Sequence, residues 1–220
     1  IMHKIIQNLI DIENQVKSSL GNISEVKLPK IIAVSKTFKI DKILPLIEHG
    51  HKDFGENKVQ EAVDKWTEIK NKKPDIRLHM IGRLQTNKVK FAVKLFDFIH
   101  SVDSEKLAKK IAEEQLKINR RVKVFIQVNV GEENQKSGIN INEINDFVIF
   151  CKEINLDLIG FMCIPPANIE PTIYFEKMKK INKSNNFNDL SMGMSSDYLE
   201  ATNHNATYLR IGSKIFGERL

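Results

Sequence analysis

Lys36 is the first residue of the chain that suggests chemistry, because it follows a strand-like run that should be buried. Residues 31–35 read Ile-Ile-Ala-Val-Ser, and an unbroken apolar run is typical of a strand covered by helices on both faces. A lysine can stand at the carboxyl end of such a strand, where barrels of alternating strands and helices carry their active sites. There its amine is the usual group for forming an imine with an aldehyde or ketone. The alternative is that Lys36 only extends into solvent.

Two short turns late in the chain have the composition of a phosphate site. Residues 191–195 read Ser-Met-Gly-Met-Ser and residues 210–213 read Arg-Ile-Gly-Ser, each where a strand should lead into a helix. Glycine lets an anion approach backbone N–H groups, and a helix start adds a favourable dipole. Phosphate sites of barrels recur in the loops after strands seven and eight. The residues expected around a phosphate are Ser191, Met192, Gly193, Gly212 and Ser213; the alternative is that both glycines only permit tight turns.

A lysine and a phosphate site together suggest a phosphorylated aldehyde, and pyridoxal 5'-phosphate (PLP) is the obvious candidate. Arg210 would then lie beside the pyridine nitrogen; because a guanidinium cannot accept a proton, it would keep that nitrogen unprotonated and weaken the ring as an electron sink. Arg210 could instead be a surface or phosphate-bound arginine. Asn57 could bond the ring hydroxyl or orient the lysine, or it could cap a helix. No residue is assigned a catalytic or metal-binding role.

Two more polar residues belong to expected strands. His79 alternates with Leu78 and Met80, so its side chain could face the barrel interior. A core histidine bonded to a neighbour is at least as good an interpretation as a ligand contact. Glu56 follows the second strand, and with Asn57 it is expected at the barrel mouth.

These residues need a scaffold, and the chain alternates apolar strand patterns with amphipathic helix patterns throughout. A first helix ends at Gly21, and Asp41 is the expected cap of the second. Eight strand–helix units in this length fit an α/β protein, a single (β/α)8 TIM barrel with an extra N-terminal helix; a doubly wound sheet seldom needs so many units. Strands are expected at 31–35, 51–55, 77–81, 98–102, 122–130, 156–164, 189–192 and 208–211, and helices at 2–20, 41–49, 58–70, 85–95, 104–119, 141–154, 172–184, 197–203 and a short one after 213.

Composition excludes several other classes of protein. The 220 residues carry 34 Lys+Arg against 28 Asp+Glu, a formal charge of +6, but no basic stripe with interleaved aromatics, so we expect no nucleic acid partner. The excess charge fits a small anionic ligand better. No apolar run approaches the roughly 18 residues that span a bilayer, so no membrane segment is expected. Residues 1–220 are expected to form one domain, with a monomer favoured.

The two cysteines and the amino terminus indicate a compartment. Cys151 and Cys163 lack metal-ligand spacing and sit among apolar residues, which is typical of buried reduced thiols in a cytoplasmic protein. Residues 2–20 are amphipathic rather than a secretory signal. We therefore expect a cytoplasmic protein.

Eight motifs, in order and spacing, make the chain similar to the pyridoxal phosphate homeostasis protein family, also called the YggS/PROSC family. The resemblance covers essentially the whole chain. The motifs are residues 33–37 (AVSKT), 54–57 (FGEN) with Gln60 and Glu61, 79–88 (HMIGRLQTNK), 127–130 (QVNV), 136–138 (KSG), 160–165 (GFMCIP), 190–195 (LSMGMS) with Asp197, and 210–213 (RIGS) with 215–217 (IFG).

The resemblance implies an alanine-racemase-like N-terminal barrel that carries PLP on Lys36. It implies further that Arg210 lies near the pyridine nitrogen and that the phosphate is lined by Ser191, Gly193, Gly212 and Ser213. The family is regarded as regulating or carrying the cofactor, without an established catalytic reaction. The expected partners are therefore PLP and the apo-enzymes that receive it.

Two enzymatic alternatives stay open. Racemases of this barrel type use a tyrosine supplied with an additional β domain, and only nine residues follow Ile211, so we expect no such domain. A small PLP-dependent amino-acid racemase, or another enzyme acting on amino acids, could still use Lys36 as anchor and proton shuttle. A Schiff-base aldolase on a phosphorylated sugar would need an acid–base carboxylate, for which Glu56 is the sole nearby candidate.

Overall fold

Eight parallel strands close into a barrel in the computed structural model, which describes residues 3–21, 27–133 and 137–218. Each strand pairs with the next along the chain, and β8 pairs with β1. The predicted (β/α)8 barrel is therefore confirmed. The strands are β1 Lys30–Val34, β2 Asp53–Glu56, β3 Arg77–Met80, β4 Phe98–Val102, β5 Lys123–Val128, β6 Asp157–Cys163, β7 Asp189–Ser191 and β8 Tyr208–Ile211.

Helices alternate with the strands and cover the outer face of the barrel. Single 3-10 turns, Thr86–Lys88 and Ile141–Glu143, precede the fourth and sixth helices. The helices are α1 Lys4–Leu20, α2 Ile40–Glu48, α3 Val59–Lys72, α4 Val89–Leu95, α5 Glu105–Lys117, α6 Ile144–Glu153, α7 Thr172–Ser184, α8 Tyr198–Asn203 and α9 Ser213–Phe216. None of the helices in the described part of the chain combines the length and apolar character that a bilayer span needs.

Side-chain alternation separates the barrel interior from the layer under the helices. In β1, Ile31 and Ala33 belong to the large apolar core beneath the helices, whereas Ile32 packs in a separate buried cluster with aromatic residues of other strands. A period of two along a strand requires this division. The interior cluster consists of Ile32, Phe98, Phe125, Met162 and Tyr208.

The extra N-terminal helix is present and packs beside the end of the chain. Its buried residues recur at helical spacing, and Gly21 ends it with a φ of 62°, a conformation that glycine adopts without steric cost. The side chain of Asn8 donates to the carbonyl of Ile215 at 2.9 Å, and Tyr198 donates to Gln15 at 2.6 Å. These two bonds tie α1 to α9 and α8.

Some boundaries differ from those expected. Asp41 is not the cap of α2, which begins after Lys39 without any side-chain capping bond; the helix starts one residue earlier, so Asp41 lies in its first turn. Ser104 does cap α5, accepting a hydrogen bond from the N–H of Leu107 at 3.2 Å. Lys136, the first residue of the 136–138 motif, lies outside the described residues.

Candidate functional site

Lys36 lies at the carboxyl end of β1, two residues after Val34, in a turn and with its side chain partly buried. The hydroxyl of Ser35 donates to Oε1 of Glu56 at 2.7 Å, on the side of the sheet that α3 covers. Lys36 follows Ser35 directly, in the turn at this end of the barrel. The lysine thus stands at the carboxyl end of β1, as the sequence predicts.

Glu56 lies under α3 and not in the mouth, so the prediction for this residue is wrong. Its Oε1 atom accepts hydrogen bonds from Lys65 Nζ at 3.0 Å and from Trp66 Nε1 at 2.9 Å, and the side chain is fully buried. The last residue of β2 faces outward because of strand alternation. An aldolase would therefore lack the one carboxylate that the sequence offered beside Lys36.

The turn after β8 lies against the strand that carries Lys36. A Cβ atom placed on Gly212 would lie 3.3 Å from Cβ of Val34 and 3.4 Å from its carbonyl oxygen. The pairing of β1 with β8 brings Ile211 opposite Ala33. The lysine strand and the second glycine turn are therefore neighbours at one rim of the barrel.

The two glycine turns are bonded to each other. The N–H of Arg210 donates to the carbonyl of Gly193 at 2.9 Å. The hydroxyl oxygen of Ser195 accepts from the N–H groups of Gly212 at 3.3 Å and Lys214 at 3.4 Å. The turns after β7 and β8 consequently form one continuous surface.

Gly193 needs to be glycine for two independent reasons. Its φ is +92°, in the region that other residues rarely adopt, and a Cβ atom would lie 2.6 Å from Cβ of Ala201. The N–H groups of Met192 and Met194 are already bonded, to the Tyr208 carbonyl and to the Asp197 carboxylate.

Three N–H groups of these turns have no acceptor among the residues that the structure describes. They are those of Gly193, Ser195 and Ser213. The prediction of unblocked N–H groups thus holds for part of each turn, and these three can donate to a ligand.

Two predicted phosphate residues have their side chains elsewhere. Met192 is fully buried in the apolar core under the helices. The hydroxyl of Ser191 is also fully buried, and it contacts Arg210 and His100 instead of facing the turns. Ser191 is the last residue of β7 and points into the barrel, so its side chain lies deeper than the backbone N–H groups that follow it.

Arg210 is a buried cation that is held in place by the last residues of β6 and β7. Its Nη1 atom donates to Ser191 Oγ at 2.7 Å, and its Nη2 atom donates to the carbonyl of Cys163 at 2.8 Å. Burial lowers the pKa of the guanidinium from its usual value. The alternative of a surface arginine is excluded, because only 4% of the residue is exposed.

A chain of buried hydrogen bonds continues from Ser191 across the barrel. Ser191 Oγ lies 2.8 Å from His100 Nδ1, His100 Nε2 lies 2.9 Å from His79 Nδ1, and His79 Nε2 lies 2.9 Å from Asp53 Oδ1. Arg77 donates to the same carboxylate at 2.8 Å. His79 therefore faces the barrel interior. It is a core histidine bonded to its neighbours His100 and Asp53, which is one of the two interpretations that the sequence allowed.

The ionised Asp53 and Arg77, at the end of this series of hydrogen bonds, determine which group donates in each bond. Burial opposes ionisation of Asp53, but the hydrogen bonds from Arg77 and His79 hold its pKa well below the usual range. Burial lowers the pKa of both His79 and His100, which favours their neutral forms. An ionised Asp53 requires a proton on His79 Nε2, so His100 Nε2 must donate to His79 and Ser191 must donate to His100. The oxygen of Ser191 then remains an acceptor for Arg210.

Asn57 is not a helix cap, because α3 begins two residues later and Lys58 occupies the cap position. The Oδ1 atom of Asn57 is buried without a hydrogen-bond partner. A Cβ atom on Gly82 would lie 2.5 Å from the carbonyl oxygen of Asn57, so the loop after β3 packs in close contact with this residue. A buried oxygen without a donor is costly, and a ligand hydroxyl could satisfy it.

A cavity of about 790 Å³ opens beside Asn57, over the ends of β2 to β4. Basic side chains surround it, among them Lys58, Arg83, Lys88 and Lys106. Lys36 and Arg210 do not line it. The cavity therefore adjoins the predicted site at one residue only.

His100 and Asp53 were missed by the sequence analysis. His100 shares the strand face of Phe98, two residues before it, and this alternation was a usable signal for an inward position. Its contact with Ser191 joins residues 91 positions apart, which no local pattern reveals.

Comparisons with known proteins agree with this fold. Residues 13–220 match the family model described as alanine racemase, N-terminal domain. The chain is 37% identical over 202 residues to the pyridoxal phosphate homeostasis protein of Aquifex aeolicus, covering 86% of this chain and 87% of that protein. It is 34% identical over 230 residues to the protein of the same name from Vibrio cholerae, covering 99% and 98%. The structure of PipY from Synechococcus elongatus, solved with PLP bound, superposes with a TM-score of 0.85 at 30% identity, covering 97% of this chain and all of that one.

Proposed function

Because the chain belongs to the alanine racemase N-terminal domain family and to the pyridoxal phosphate homeostasis proteins, we propose that it binds PLP and serves in the homeostasis and carriage of this cofactor. PipY, which is similar over its whole length, has been solved with PLP bound. The proposal gives Lys36 the covalent role: its amine attacks the aldehyde carbon, a C=N bond forms and one water leaves.

The observation that carries the proposal is the contact between the turn after β8 and the strand of Lys36. Gly212 lies against Val34, so a group held by the glycine turns is near the end of β1. We propose that Gly193, Gly212 and Ser213 hold the phosphate, supported by the N–H groups of Gly193 and Ser213. Ser191 then acts by orienting Arg210, and Met192 shapes the turn from the core.

Arg210 supports binding without turnover. PLP, when bound, supplies an electron sink, and this sink is strongest when the pyridine nitrogen is protonated. We propose that Arg210, oriented by Ser191 and Cys163, donates a hydrogen bond to that nitrogen. Because a guanidinium is too weak an acid to give up its proton, the nitrogen stays unprotonated. Asn57 would direct its unsatisfied oxygen to the ring hydroxyl.

The finer parts of the proposal concern partners and compartment. Apo-enzymes are the proposed recipients of the cofactor, and the protein is proposed to act as a monomer. Two free, buried cysteines support a reducing compartment such as the cytoplasm. Burial raises the pKa of Cys163 to about 12, which keeps it an unreactive thiol.

The proposal is tested by mixing the protein with PLP and recording the absorbance of a lysine-bound form. The wild type should show the band, and Lys36→Ala should lose it. Lys39→Ala removes an exposed lysine three residues away and should keep it. A band that persists in Lys36→Ala would refute the assignment.

A second assay separates carriage from amino-acid chemistry. Amino acids incubated with the PLP-loaded protein in deuterated water should show little exchange at the α-carbon. Exchange at enzyme-like rates would favour a racemase or a related enzyme.

A further inference from the structure

The residues on both sides of Lys36 are bonded to side chains at the end of β2 and in α3. Ser35 bonds through its hydroxyl and its carbonyl, and Thr37 bonds through its N–H. All these bonds end on three charged side chains, Glu56, Glu61 and Lys65, which we call the α3 clamp. The α3 clamp thus holds the two residues that flank Lys36 in the chain.

Ser35 is held by the buried half of the α3 clamp. Its hydroxyl donates to Glu56 Oε1 at 2.7 Å, and its carbonyl accepts from Lys65 Nζ at 3.0 Å. The Lys65 side chain is only 8% exposed and also donates to Glu56 Oε1 at 3.0 Å. Bonds between ionised and neutral groups in a buried setting are stronger than ordinary ones, so this end of the turn has little freedom.

Thr37 is held in an unusual conformation by the other half. Its φ is +69°, and β-branched residues rarely occupy this left-handed region. Its N–H donates to Glu61 Oε1 at 2.6 Å, and the same oxygen accepts from Lys65 Nζ at 3.0 Å. The unfavourable backbone conformation of Thr37 is thus stabilised by the Glu61 carboxylate. Lys65 bonds both this carboxylate and the carbonyl of Ser35.

We propose that Glu61, Glu56 and Lys65 are positioning residues that fix the turn around Lys36 and thereby set how strongly Lys36 retains PLP. This inference rests on the proposed function. It adds that retention depends on residues whose hydrogen bonds run to Ser35 and Thr37, on either side of the lysine. It also gives a role to Glu56 and Glu61, which belong to the FGEN and Gln60-Glu61 motifs and have no place in the mouth.

The test compares three substitutions by borohydride trapping of PLP on Lys36 at a series of PLP concentrations. Glu61→Ala should raise the concentration needed for half-maximal trapping about tenfold, the effect of one charge-assisted hydrogen bond. Glu61→Gln keeps an oxygen acceptor for Thr37 and should have a smaller effect. Asp64→Ala removes an exposed carboxylate of the same helix and should leave trapping unchanged.

A rescue distinguishes positioning of the turn from a general loss of stability. Glycine adopts a positive φ freely, so adding Thr37→Gly to Glu61→Ala should recover most of the lost trapping. Thermal unfolding of each variant shows that it is folded. Unchanged trapping in Glu61→Ala, or no recovery in the double variant, would overturn the inference. Failure of the wild type to be trapped at all would instead refute the proposed function.

Discussion

Arg210 and Ser191 form a hydrogen bond of 2.7 Å inside the barrel, on neighbouring strands β8 and β7. Among the described residues, Nη1 of Arg210 is connected to His100 and Asp53 only through its hydrogen bond to Ser191. The orientation of Arg210 therefore depends on the hydroxyl of Ser191, which accepts from the arginine and donates its proton to His100. The side chain of Ser191 therefore contacts Arg210 and His100 and does not face the two glycine turns.

Ser191→Ala should destabilise the protein, because Arg210 and His100 each lose a buried partner. We expect a loss of roughly 1–3 kcal/mol in the free energy of unfolding, measured in urea. Ser101→Ala is the matched control, since its hydroxyl is buried without a partner. It should be neutral or slightly stabilising. Equal effects of the two substitutions would contradict the account of this network.

Gly193→Ala should cost more stability than Gly50→Ala. Both glycines have a φ above +90°, but a Cβ atom on Gly50 meets nothing within 4 Å, whereas on Gly193 it meets Ala201 at 2.6 Å. The backbone penalty is common to both, so their difference isolates crowding, which we expect to add about 1–3 kcal/mol. Urea unfolding of the two variants measures it. A Gly193→Ala variant as stable as Gly50→Ala would show that the turn has room.

Asn57→Ala should weaken PLP binding and spare the free protein. Its Oδ1 atom has no partner to lose, so the free energy of unfolding without PLP should change by less than about 0.5 kcal/mol. The Kd for PLP should rise about tenfold, as expected for the loss of one hydrogen bond in a closed site. Titration with PLP and urea unfolding give the two numbers. Unchanged affinity would remove Asn57 from the site.

Stability should fall as the pH drops below about 6.5. Burial depresses the pKa of His51, His79 and His100 in the folded protein, whereas in the unfolded chain each has a pKa of about 6.5. Below that pH the unfolded state binds more protons, so each histidine lowers the free energy of unfolding by up to about 1.4 kcal/mol per pH unit. Urea unfolding between pH 8 and pH 5 tests this. His51→Gln should reduce the slope, and a flat profile would contradict neutral buried histidines.

The barrel could be predicted from the sequence because its strands are short apolar runs separated by amphipathic helices. Lys36 and the two glycine turns could be located for the same reason, since each follows such a run. Arg210 lies within β8, and alternation with Tyr208 predicts that it faces the barrel interior. Glu56 was placed wrongly because only its position at a strand end was considered. Alternation from Phe54, which packs against Trp66, would have turned it outward.

The remaining features depend on contacts that local patterns do not contain. His100 meets Ser191, and Thr37 meets Glu61, only after the barrel closes and α3 packs. Asn57 resembled a helix cap because Asn is a good one, yet the helix begins after Lys58. Tyr208 and Asp197 accept hydrogen bonds from two N–H groups of the first turn and so decide which of its N–H groups stay unbonded. The sequence does not reveal these contacts.

The central claim is that the amine of Lys36 holds PLP while the glycine turns hold its phosphate. The most direct test is to reduce the PLP-loaded protein with borohydride, digest it and locate the added mass by peptide sequencing. We predict that the label is found on Lys36 and that it is lost when inorganic phosphate at high concentration competes for the turns. A label on another lysine, or trapping that phosphate does not affect, would contradict the account.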